Sequence, residues 1–402
     1  MRKIYKIFIA VIIISACSFQ VSAQQYWSAN NDSRANIITD KGVARPSYPK
    51  EFKLFNLNIE PLRHQLFKVV DNKTSHTTII TLPNSDGSLE QFEVVEASNF
   101  DPALQAKFPE IRAFSGRGLT DKYALLKLSI SSQGIQTMVF RTEKQNEFIE
   151  AYSQDHKVYS VYKSQRVKGK EHWVCSTVEN NMISDLNSKV ALINTPSSNT
   201  GELKTMRLAQ SVTAEYSNYF GAFNPSQLPL VMAGINATLT RCNGCYEIDL
   251  AIHLNLIPND SLVIYYDPNT DPYSPASSGA AGAWNGELQA TLTAVIGEAN
   301  YDIGHLFGAS GGGGNAGCIG CVCVNGQKGS GFTSPADNIP AGDNFDIDYV
   351  VHEVGHQMGA NHSFSYSNEG TGQQKEIGAG ITIMGYAGIT NYDPAPHVQA
   401  AE

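Results

Sequence analysis

The chain has 402 residues, 42% of them hydrophobic and 17% charged, with a net charge of −9. This length accommodates two domains of ordinary size plus a leader, and this composition suits folded structure rather than disorder. The acidic balance argues against a nucleic-acid partner, and no long charge-free apolar run after residue 25 offers a later membrane span.

The chain opens with Arg2, Lys3 and Lys6, an apolar core from Ile7 to Ile14, and small residues at Val21-Ser22-Ala23. That order predicts a signal peptide over 1–23 and an exported mature chain. Ile14-Ser15-Ala16-Cys17 also allows a lipoprotein signal, which would leave a lipid anchor on Cys17 at the outer surface.

Residues 24–200 are expected to form a β-rich domain. Thr77–Leu82, Gln91–Ala97, Tyr123–Ile130 and Gly134–Phe140 are short β-branched or alternating runs. Turn residues such as Asn84-Ser85-Asp86-Gly87 separate them. No catalytic constellation is evident there. A polar basic stretch follows at Lys163–Lys170, then a Pro-, Ser- and Gly-rich stretch from Asn194 to Lys204. The second reads as a linker open to proteolysis, with the domain boundary near residue 200.

Residues 201–402 alternate strand and helix patterns, which argues for an α/β domain. Met206–Val212 suits a strand and Ser226–Leu239 a helix. Tyr246–Ile257 reads as a strand with Tyr246, Ile248, Leu250, Ile252, Leu254 and Leu256 on one face. Residues 284–297 suit a helix, and a Gly- and Cys-rich passage occupies 308–332. A further helix is expected from about Phe345 to Met358.

Six cysteines follow residue 23: Cys175, Cys242, Cys245, Cys318, Cys321 and Cys323. In an exported chain disulfides are expected, though sequence fixes no pairing. The two Cys-x-x-Cys pairs also permit a structural zinc knuckle, at odds with an oxidising compartment.

The segment that carries chemistry is HEVGHQMGANH, His352 to His362. Histidines four apart on a helix project from one face and can share a metal ion. Gly359 can take a positive φ angle and end the helix, so that the chain turns back and brings His362 to the same point. Three ligands leave a fourth position open, as catalytic zinc requires. Zinc lowers the pKa of water towards ~7, and Glu353, beside the first histidine, is placed to act as the general base. The all-imidazole set disfavours other metals.

This segment resembles the metzincin metallopeptidase signature. Ile381-Thr382-Ile383-Met384-Gly385-Tyr386 is similar to the Met-turn of that clan, where a methionine lies beneath the imidazoles; Met384 is the matching residue. Within the clan the chain looks most like the reprolysin-like peptidases, especially secreted bacterial ones. Asn300–His305, Ala316-Gly317-Cys318 and Asp343–Tyr349 contribute to the likeness. The resemblance covers 203–402, and the preceding β-rich domain looks like the propeptides of that group. It implies an α/β (α+β) catalytic domain, with a twisted mixed sheet and the active-site helix beneath it. It implies a zinc-dependent metalloendopeptidase acting on proteins or peptides, made as a latent precursor. Substrate would lie as a strand along the sheet edge, expected at Ala316–Val324. His305 is expected to be structural, because the three-histidine set is complete without it.

Two departures stand out. Ser363 occupies a position where animal reprolysin relatives usually carry Asp, so the support beneath the helix differs. Tyr386 follows Met384 by two, as in astacin-like members, and can act near the metal or simply pack. Cys175 in HWVCSTV lacks the familiar switch consensus, yet a thiolate could fill the fourth metal position until the propeptide is cut. The alternative is a disulfide or an inert thiol. Calcium at Asp267 and Asp271 competes with ordinary Asp-Pro turns. A different class of function, a silent binding or adhesion protein on a peptidase scaffold, is disfavoured because His352, Glu353, His356 and His362 are all present. Only residues 385–402 follow Met384, too few for the closing helix the resemblance implies, so a truncated chain is expected.

Overall fold

The computed structural model describes residues 26–72, 74–164, 174–178, 201–367, 369, 372–386, 390 and 392. The expected signal peptide with Cys17 lies outside them, as do residues 165–170 and most of the expected linker.

The β-rich expectation for the N-terminal half is met by one antiparallel sheet of nine strands. They are β1 (Trp27–Ala29), β2 (Lys53–Leu57), β3 (Thr78–Pro83), β4 (Leu89–Glu96), β5 (Arg112–Gly118), β6 (Leu125–Ser131), β7 (Gly134–Phe140), β8 (Glu147–Ala151) and β9 (Val158–Lys163). The spatial order is β1-β2-β9-β8-β7-β6-β5-β4-β3. Successive side chains alternate between the faces of a strand, and here both faces are apolar. Val139, Ile149 and Val161 join Phe92, Phe114 and Leu128 on one side, where α1 (Ile59–Leu66) buries Leu62 and Leu66. Met138, Phe140, Phe148 and Tyr162 point to the other side and share a core with the C-terminal half.

That half is built on a five-stranded mixed sheet, ordered β11 (Ile252–Leu256), β10 (Lys204–Val212), β12 (Ile303–Phe307), β14 (Gly331–Ser334), β13 (Gly313–Asn315). The first four run parallel, and β13 is an antiparallel edge. Helix α2 (Leu228–Asp249) is buried along most of its length and packs across the nine-stranded sheet. Gly244 permits the approach: a Cβ there would meet the Phe140 ring at 2.6 Å. Helix α3 (Trp284–Val295) falls where the sequence predicts it.

One expected element is corrected. Tyr246–Asp249 is the last turn of α2 rather than the start of a strand, and β11 begins only at Ile252. Cys242, Cys245 and Tyr246 share the core at helical spacing, and the Tyr246 hydroxyl donates to the Val351 carbonyl at 3.2 Å. Ile248 and Leu250 made the alternation look continuous, but they are 44% and 47% exposed. Ala251, at φ 52°, turns the chain between helix and strand.

A buried ionic network crosses between the two halves. The Arg45 guanidinium donates to Glu150 at 2.7 Å, Asp343 at 2.9 Å and the Tyr162 hydroxyl at 3.0 Å. Arg241 on α2 donates to Glu150 at 2.8 Å and Asp346 at 2.9 Å. Burial pushes the Glu150 carboxyl up, but Arg45 and Arg241 outweigh it and hold it below its ordinary 4.5. Removing one partner strands buried charge, typically at about 3–5 kcal/mol. A depressed carboxyl contributes stability above its unfolded value and loses it as pH falls through its folded value. Glu150→Gln is therefore expected to lower the melting temperature clearly at pH 7, with the gap to wild type closing below about pH 4.5; thermal scans across pH read both.

Candidate metal centre

The helix predicted over 345–358 runs as a π-type stretch, Asn344–Val351, into α4 (His352–Met358). Its i, i+4 spacing puts His352 and His356 on one face. Gly359 then adopts φ 116°, a left-handed conformation that favours glycine, and ends the helix. The chain folds back, and His362 closes the set. The three Nε2 atoms stand 3.1, 3.2 and 3.2 Å apart.

Each imidazole is oriented through its other nitrogen. His352 Nδ1 donates to the Ile383 carbonyl and His356 Nδ1 to the Ala360 carbonyl, both at 2.7 Å. His362 Nδ1 lies 3.2 Å from Glu369 Oε2. A carbonyl only accepts, so Nδ1 of the first two rings carries the proton and Nε2 presents a lone pair. Burial pushes the His352 pKa well down, and the His356 and His362 charges push the same way, so this ring stays neutral.

Three lone pairs aimed at one point fit a cation. Nitrogens bound tetrahedrally to zinc stand about 3.4 Å apart, close to the spacing here. Below the rings lies the turn 381–386. Gly355 has no side chain to push it away: a Cβ there would be 2.8 Å from the Met384 sulfur. The Tyr386 ring packs 4.8 Å from His362 and 5.8 Å from His352, centroid to centroid.

The fourth corner is held by the N-terminal half. Val174–Val178 lies along β13 in the parallel sense, with Ser176 N–H donating to Gly314 O at 2.9 Å and Gly314 N–H to Val174 O at 3.0 Å. This puts Cys175 Sγ 3.5 Å from His356 Nε2, in one cluster with the three histidines. Burial, then the Glu353 carboxylate, push the Cys175 thiol well up. It is a thiolate only beside a cation, which deprotonates a coordinating thiol.

Glu353 is fully buried, and among the described residues its Oε1 has no hydrogen-bond partner. Its Oε2 accepts from the Thr177 hydroxyl at 2.9 Å, and Thr177 Oγ1 in turn accepts from the Ala316 amide at 2.8 Å. Burial pushes the Glu353 carboxyl up to about 8, with nearby Cys175, Thr177 and the Ala316 amide pulling the other way. The Tyr386 hydroxyl donates to the Cys175 carbonyl at 3.4 Å.

The structure thus brings together His352, Glu353, His356, His362, Met384, Tyr386 and Cys175. His305 stands apart and buried, bonded to Gln357 at 2.8 Å and Thr333 at 2.9 Å. Asp267 and Asp271 accept local turn hydrogen bonds from Asn269 and Tyr273. The edge strand is corrected from Ala316–Val324 to β13, because the Cys318–Cys321 disulfide folds the following residues into a loop. The same disulfide takes two of the four thiolates a zinc knuckle would need, and Cys242 and Cys245 are buried in the core, so the zinc-knuckle reading falls; Cys323 is an exposed free thiol. Sequence reasoning missed Thr177 and the carboxylates of Glu369 and Glu376, polar residues in loops that no spacing rule singles out.

The sequence model of the M12B reprolysin-like metallopeptidase family matches residues 202–398. No curated protein matches the chain.

Gly314 packs its backbone against the buried glutamate: a Cβ there would sit 2.4 Å from Glu353 Oε1. Overpacking of this kind costs about 1–3 kcal/mol. Gly314→Ala is expected to lower the melting temperature while leaving the far-ultraviolet circular dichroism spectrum in place.

Proposed function

Residues 202–398 belong to the reprolysin-like metallopeptidases, and from that premise we propose that this chain is a secreted zinc metalloendopeptidase made as a latent precursor. The observation that carries the reading is the convergence of three Nε2 lone pairs beside a buried glutamate with one free oxygen. His352, His356 and His362 hold the zinc. When bound, the ion supplies Lewis acidity and lowers the pKa of water towards ~7.

Glu353 takes the proton from the attacking water and passes it to the leaving amine. Substrate pairs with β13 as an extended strand, main chain to main chain. The prosegment makes such a pairing with Gly314. Tyr386, whose hydroxyl donates to a carbonyl of that segment, is the residue we assign to donate to the substrate carbonyl.

Latency follows from the same contacts. Cys175 takes the fourth position of the histidine cluster, and Thr177 occupies the carboxylate of Glu353. The basic start, apolar stretch and small residues at 1–23 support export. Among the described residues no helix is long and apolar enough to cross a membrane.

Two experiments test this. In the processed enzyme, Glu353→Gln is expected to keep its zinc and lose about 10²–10⁴-fold in kcat on a quenched fluorescent peptide; full turnover would refute the base. In the unprocessed chain, Cys175→Ala is expected to release measurable cleavage and Cys175→Ala/Thr177→Val more. A double variant as silent as wild type would end the latency assignment.

A further inference from the structure

The loop between Ser363 and Tyr386 is organised round one carboxylate. Glu376 Oε1 accepts from the hydroxyls of Ser363 and Thr382. Its Oε2 accepts from the backbone amides of Ile381 at 2.6 Å and Thr382 at 2.9 Å. Four donors from two separate stretches meet on this side chain. The Glu376 amide itself donates to Ser363 O at 2.9 Å, and Ser363 N–H donates to Met384 O at 3.1 Å. Gly380, at φ 79°, leaves the necessary space, since a Cβ there would be 2.7 Å from Glu376 Oε2. Burial pushes the Glu376 carboxyl up, but the Ser363 and Thr382 hydroxyls and the two amides hold it below the ordinary range.

Both stretches carry parts of the histidine cluster. Ser363 directly follows His362. Ile381 and Thr382 lead into Ile383, whose carbonyl orients His352 at 2.7 Å, and into Met384, which lies against Gly355. One carboxylate therefore ties the arm of His362 to the turn that aims His352.

We propose that Glu376 is a positioning residue for the metal centre: by clamping the turn 381–384 to Ser363, it sets how His352 and His362 converge. Glu376 touches no metal ligand side chain and acts only through these two stretches. The proposal rests on the zinc reading above.

The test is zinc affinity by chelator competition and the visible spectrum of the cobalt-substituted full chain, for wild type, Glu376→Ala, Glu376→Asp and His352→Ala. Outer supports of metal ligands typically contribute about 10–100-fold in affinity. Glu376→Ala is expected to weaken zinc by that factor and alter the cobalt bands, with Glu376→Asp recovering part of the loss. Ser363 Oγ already stands 3.4 Å from Thr382 Oγ1, so Ser363→Asp is expected to restore affinity in the Glu376→Ala background. Should Glu376→Ala fail to fold, Glu376→Gln, which keeps the size and removes the charge, carries the same comparison. Unchanged affinity and cobalt bands in a folded Glu376 variant would overturn the proposal, even with a lowered melting temperature. A wild type that takes up no zinc, or His352→Ala binding as tightly as wild type, would instead overturn the zinc reading beneath it.

Discussion

Three imidazole lone pairs within 3.2 Å of one another repel unless a positive charge sits between them. Most of the C-terminal half serves to hold that unfavourable arrangement ready. Two rings come from one helix face, and the third needs the left-handed Gly359. Backbone carbonyls fix the tautomers of His352 and His356. Those carbonyls are themselves placed by the end of α4 and by the turn 381–386. A cation bound there would gain from neutral, pre-aimed imidazoles, which lose little freedom on coordinating it. Glu353 belongs to the same economy of burial: a carboxylate without water is costly unless paired, and one of its oxygens is left unpaired.

The N-terminal sheet is tied to this site in two ways. Its second face puts Met138, Phe140, Phe148 and Tyr162 into a core shared with α2 and the neighbouring C-terminal elements. Its charged residues reach across as well, with Glu150 bridging Arg45 and Arg241. Residues 174–178 then cross the cleft and set Cys175 and Thr177 on the chemical groups. Under the proposed latency, the shared core and the ion pairs hold the sheet in place while the short segment covers the histidine cluster.

Legibility in the sequence followed from how local each constraint was. His352, Glu353, His356, Gly359 and His362 were readable because a helix period and a left-handed turn convert spacing directly into geometry. The strands at 78–83, 89–96, 125–131 and 134–140 were readable from alternation and turn residues. β8 and β9 were not, because strands buried on both faces lose the polar–apolar alternation, and β5 was not, because its Ser-Gly-Arg-Gly half carries no strand pattern. Residues 246–250 misled for the opposite reason, an alternating run that tertiary packing overrode. The edge strand was misplaced because Gly313-Gly314-Asn315 carries no strand propensity; its place comes from pairing with β14 and from the close approach of Glu353. Thr177 and Glu376 act across 176 and 13 residues of chain, distances at which a single sequence holds no pattern.

The most direct test of the account is zinc X-ray absorption spectroscopy on the purified, unprocessed chain. It should give one zinc per chain, with three nitrogen neighbours and one sulfur neighbour. A chain that retains no zinc, or a metal shell dominated by sulfur, would contradict the claim that His352, His356, His362 and Cys175 close round a single ion.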